Sequence, residues 1–160
     1  MTNRICCNKS FDLVVLMASS SCRYIHSQII IEEPTYLLEP SESERFYPSR
    51  AKSIALDVLT TEISNAKIDD KFIEDWSEFS DDMEDLGKKV ADHIKNRIRE
   101  EMNIPRYKIV VQVSIGQRKN QGVCITSRCL WNTATDNFAS AEFKNEYIWS
   151  NALIFGLYTD

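Results

Sequence analysis

The sequence predicts an α+β domain: two helices packed on a four-stranded antiparallel sheet. Three observations carry that expectation. Apolar residues recur three and four positions apart in two segments of the first hundred residues. After Pro105 the recurrence switches to every second residue. The connections between the alternating segments are too short to hold crossover helices.

The first helix opens at Pro48 or Ser49, where proline suits a first turn and serine can cap. Its apolar face is Ile54, Val58, Leu59 and Ile63, and the pattern fades near Asn65. In the second helix Met83, Leu86, Val90, Ile94 and Ile98 share one face until Pro105 stops the chain. Ser80, followed by Asp81 and Asp82, makes a suitable start, because a hydroxyl cap and two carboxylates answer the exposed amides of a first turn. Phe72, Trp76 and Phe79 continue the spacing backwards, so an earlier start or a separate short helix is the alternative.

In RYKIVVQVSIG, Tyr107, Ile109, Val111, Val113 and Ile115 fall on one face of a strand. QRKNQG reads as a turn and GVCITSRCLWN as the second strand. After the turn NTATDN, FASAEFKN and YIWSNALIFGLY supply the third and fourth strands.

With 160 residues, 43% of them hydrophobic, the chain fits one domain and one core. Residues 1–33 lack clear periodicity and read as a flexible leader, leaving 34–160 as the folded domain. The run FDLVVLMASSSC imitates a secretory signal but is short and interrupted by Asp12. With five cysteines, an odd number, thiols in a reducing compartment are expected.

Charge narrows the partners. Residues 69–85 hold nine acids and one lysine, a local charge of −8 within a total of −5, so the remainder is only +3. No basic stripe suited to a phosphate backbone exists, and no apolar run reaches the ~20 residues of a membrane span. Neither a nucleic-acid partner nor membrane insertion is expected.

Catalytic chemistry finds little support. Cys124 and Cys129 are five residues apart, so on a regular strand they face opposite ways and cannot share a metal or a disulfide. His26 lies in the leader, and His93 sits on the second helix, where a structural role is expected. The four glycines are too scattered for a phosphate-cradling loop, and the acidic run lacks the alternating ligands and central glycine of a calcium loop. No cofactor and no enzymatic activity are expected. A thiol-dependent enzyme using Cys124 or Cys129 is the disfavoured rival.

What remains is a strand-rich half dense in aromatics, from Trp131 to Tyr158, whose sheet edges must be covered or used. RYKIVVQVSIGQRKNQGV, SRCLWNTATDN and the late Phe155-Gly156 resemble the strand region of the Tctex-type dynein light chains. TYLLEP and RFYPSRAKSIALDVLTTEI resemble the lead-in and first helix of the family's Tctex-two-like branch. The resemblance covers residues 34–160. It implies a dimer that exchanges the second strand, either with itself or with another Tctex-type light chain, and binds dynein intermediate chains along that strand. Carried onto this chain, the partner-binding residues are Gly122, Val123, Cys124, Ile125, Thr126, Ser127, Arg128 and Cys129. The implied setting is a cytoplasmic or ciliary motor on the cytoskeleton. The alternative is a motor-independent adaptor that captures cargo peptides through the same edge. Residues 1–33 and an acidic insertion around Phe72–Asp82 depart from the family pattern.

Overall fold

The computed structural model of the chain describes residues 14–17, 37–66, 80–118 and 122–159, with only the backbone given for 14–17 and 80. The possible early start of the second helix at Phe72, most of the acidic insertion, most of the leader and three of its cysteines lie outside the described residues.

Helix α1 spans Pro48–Asn65 and buries Ala51, Ile54, Ala55, Val58, Leu59 and Ile63. Pro48 occupies the first turn as its fixed φ favours, but the cap is Tyr47 in an extended conformation, with no side-chain cap bond. The serine cap expected at Ser49 is therefore not formed. Tyr47 instead donates its hydroxyl to Glu42, tying the helix start to a short 3-10 turn at Glu42–Glu44. Helix α2 spans Ser80–Glu101, with Asp81 and Asp82 in its first turn as expected. It buries Met83, Val90, Ala91, Ile94 and Ile98. The helix ends when the Met102 amide donates to the Ile98 carbonyl, and Pro105 turns the chain into the sheet.

The sheet is built on three long antiparallel strands, β2 (Tyr107–Gln117), β3 (Asn137–Lys144) and β4 (Ile148–Tyr158), with β4 between the other two. Strand β2 meets β4 along eleven residue pairs, from Tyr107 opposite Tyr158 to Gln117 opposite Ile148. A short segment, β1 (Val14–Met17), lies antiparallel along the outer edge of β2, from Val14 opposite Ile115 to Met17 opposite Gln112. The alternation expected of β2 is present: Tyr107, Ile109, Val111, Val113 and Ile115 are all buried. They meet α2, while α1 lies over β3, where the small inner residues Ala139 and Ala141 admit it closely. One core results, sealed at one end by Phe46, whose ring packs where a Cβ on Gly156 would stand.

One predicted strand stands apart from the sheet among the described residues. GVCITSRCLWN is expected as the second strand, the one exchanged between protomers, and in the single chain Gly122–Leu130 joins no ladder among the described residues. Valine, isoleucine and threonine suit a pleated surface but do not themselves supply a neighbour. In this chain the outer edge of β2 from Gln112 to Ile115 is taken by β1. The expected class, both helices and three of the four expected strands are thus present, and the expected second strand takes no place in the sheet of the single chain among the described residues.

The candidate interface strand and its anchors

Because β4 separates β2 from β3, the connection between those strands must pass β4. It must also return along the sheet, from the level of the Gln117–Ile148 pair to that of the Asn137–Gly156 pair. At about 3.3 Å per residue, the eight steps between Ile148 and Gly156 amount to roughly 26 Å. The connecting arm is held firmly at both ends.

At its start, the Arg118 amide donates to the Tyr147 carbonyl at 2.8 Å, and its guanidinium to the Asn145 carbonyl at 2.9 Å. Asn145 is itself fixed, because its side-chain oxygen accepts from the amides of Tyr147 and Ile148 at 2.9 and 2.8 Å. This turn between β3 and β4 needs an asparagine for the same reason many turns do: the side chain stands in for a backbone acceptor.

At its end, the turn Asn132–Asp136 is braced from several directions. Asp136 accepts from the amides of Asn132 and Tyr158 at 3.2 and 2.9 Å. The Tyr107 hydroxyl donates to the Thr135 carbonyl at 2.9 Å, and Arg45 donates to the Ala134 carbonyl at 2.7 Å. Burial pushes the Tyr107 phenol above its ordinary value of 10.0. The Trp131 ring then lies against Phe138 and Phe155, centroids 6.1 and 6.3 Å away, on the sheet face opposite the helices.

Between these anchors the arm is open to solvent. Leu130 is 97% exposed and Val123 46%. Gly122, Cys124, Arg128 and Cys129 are exposed, whereas Ile125, Thr126 and Ser127 are half-buried. All eight residues that the family resemblance assigns to partner binding thus fall on one continuous segment of this arm. No group of three or more potential metal ligands forms among the described residues. The Glu62 carboxylate accepts a hydrogen bond from His93 Nδ1 at 2.8 Å, a contact that joins α1 to α2.

Residue types alone pointed to the turn at 132–136, but not to Arg45 and Tyr107 as its braces. Arg45 reaches Ala134 across 89 positions of sequence, a separation that local patterns do not report. Nor did alternation reveal that Gly116 must be small: a Cβ there would overlap the ring of Trp149, its cross-strand neighbour. On the same outer face, Val110 and Phe138 remain 39% and 41% exposed.

Residues 45–157, which include both anchors and the arm, match the model of the Tctex-1 family. The human protein named dynein light chain Tctex-type protein 2B is 36% identical over 127 residues, covering 79% of this chain and 81% of its own length. Dynein light chain Tctex-type 5-B of Xenopus laevis is 34% identical over 134 residues, covering 84% and 69%. Mouse dynein light chain Tctex-type 4 is 31% identical over 125 residues, covering 78% and 52%. These relatives support a dynein light chain role, and no enzyme family is among the matches described. With the family model spanning more than two thirds of its residues, the chain belongs to the Tctex-1 family.

Proposed function

We propose that the chain is a non-catalytic dynein light chain that forms a dimer by exchanging the arm Gly122–Cys129 and binds dynein intermediate chains by strand addition at that arm. The observation that carries this reading is the arm itself: a segment of strand-forming composition, fixed at both ends, largely exposed, and outside the chain's own sheet. Extended segments of that kind are completed by backbone hydrogen bonds to a neighbour, and the alternating side chains select which neighbour fits.

Magnitudes favour a dimeric clamp. A net backbone hydrogen bond contributes about 0.5–1.5 kcal/mol, so four or five along an added strand yield only a few kcal/mol before the ordering of the peptide is subtracted. Two such sites on one dimer, engaging two copies of the partner, raise avidity by about 10² to 10⁴. The dimer is homotypic or made with another Tctex-type light chain. Its place is the cytoplasm and cytoskeleton, with a cilium or flagellum as the specific setting, following the resemblance to the Tctex-two-like branch.

The same edge serves the second reading, a motor-independent adaptor for cargo peptides. Native mass spectrometry of the complex isolated from cells separates the two. Stoichiometric intermediate chain with paired light chains is expected. Recovery of cargo proteins without motor subunits favours the adaptor, and a strict monomer that ignores intermediate-chain peptides overturns both.

A further inference from the structure

The apolar run near the start of the chain has no part in the function proposed above, yet four of its residues, Val14–Met17, are paired with β2 from Gln112 to Ile115. Two edges bound the sheet, and they differ. The outer strand β3 carries Glu142 and Lys144, both exposed. Charges of this kind discourage further pairing at an edge. Strand β2 carries no charge from Ile109 to Gly116. Such an edge invites a neighbour, and it is the edge that β1 covers.

Resting on the arm-exchange reading, we propose that β1 is an internal competitor for dimer assembly: Val14–Met17 occupies the stretch of the β2 edge on which the arm of a second copy docks. Each chain offers one arm and one such edge, so two copies satisfy each other reciprocally about a two-fold axis. The outward amides and carbonyls of Gln112–Ile115 can serve one strand at a time. The single chain and the dimer are therefore alternative ways of finishing the same sheet, and displacement of β1 is the step that licenses assembly.

The competition acts twice for each dimer formed, because both protomers must open. If β1 is seated three quarters of the time, a quarter of the edges are available, and the apparent dimer dissociation constant is weakened about sixteenfold. Any factor that holds residues 14–17 elsewhere strengthens the dimer by up to that amount without touching the interface.

The test compares sedimentation equilibrium of the full chain with that of a full-length Val15→Pro/Leu16→Pro variant. Proline removes the amide of whichever residue faces β2 and leaves the described core untouched. The variant is expected to dimerise at least about tenfold more tightly. An unchanged or weaker constant overturns the competition. An Ile125→Pro/Thr126→Pro variant separates the two ideas. If it abolishes the dimer while the β1 variant leaves the constant alone, arm exchange stands and competition falls. If it has no effect on the dimer, or if every protein stays monomeric, the arm-exchange reading falls and takes the competition with it. Hydrogen exchange on the unaltered chain gives a second check. Amides of Val14–Met17 should lose protection as concentration drives dimerisation, and constant protection of those amides through the transition overturns the proposal.

Discussion

Strand β2 and the arm Gly122–Leu130 are made of similar material, yet one is the backbone of the fold and the other stands outside the sheet. Both are rich in β-branched residues and lie a few positions apart in sequence. Strand β2 alternates cleanly, with five residues in succession on the core side, and finds β4 along its whole length. The arm alternates without a consistent apolar face: Val123, Ile125 and Trp131 share their side with Ser127 and Cys129, while Leu130 shares the other with Thr126 and Arg128. Strand propensity describes a backbone ready to pair, whereas one consistently apolar face decides whether the chain's own core captures it.

That difference predicts opposite responses to substitution. The largest effect belongs to the core: Ile154→Ala, at a residue with no exposed surface, should lose about 2–5 kcal/mol of stability, whereas Ile125→Ala in the arm should change the stability of the dilute chain by about 0.5 kcal/mol or less. Chemical denaturation of both variants measures the contrast, and similar losses would mean that the arm is part of the monomer's core after all.

Next comes Gly116→Ala, whose added methyl group meets the Trp149 ring. A loss of about 1–3 kcal/mol is expected in the same denaturation assay. A Gly122→Ala change in the arm has open space around it and should be close to neutral.

Asp136→Ala leaves the Asn132 and Tyr158 amides without their acceptor. It should lose about 1–3 kcal/mol and loosen the downstream anchor, seen as faster hydrogen exchange at Asn132 and Tyr158.

Tyr107→Phe should lose less than these core and anchor changes, about 1 kcal/mol, through the lost hydrogen bond to Thr135. It also alters the alkaline limb of stability. Burial raises the folded-state pKa of this phenol above 10.0, so its contribution is fully present below pH 10 and is lost as pH climbs through the folded value. The variant should therefore show a shallower decline above pH 10 than the parent.

Much of this architecture is legible in the residues because it rests on short-range periodicity. The apolar faces of α1 and α2 and the alternation of β2 mark those elements, and the bounds of α1 and β2 fall within a residue or two of where the residues put them. Asparagine and aspartate chemistry marks the turn at 132–136, whose bonds are largely local. What escaped depends on distant partners. Nothing near Gly122 reveals that the β2 edge is taken by Val14–Met17, and nothing near Asn132 reveals Arg45. The eight candidate interface residues rest on family resemblance, and the structure adds the two anchored turns that frame them.

Hydrogen exchange of the arm amides at Val123 and Ile125–Leu130, followed as protein concentration rises and again on addition of an intermediate-chain peptide, tests the central claim most directly. Rapid exchange in the dilute chain, slowing at least about tenfold on dimerisation and further with peptide, is the predicted result. Exchange at these amides that ignores both concentration and peptide, in a sample shown by sedimentation to be dimeric and peptide-bound, would contradict it.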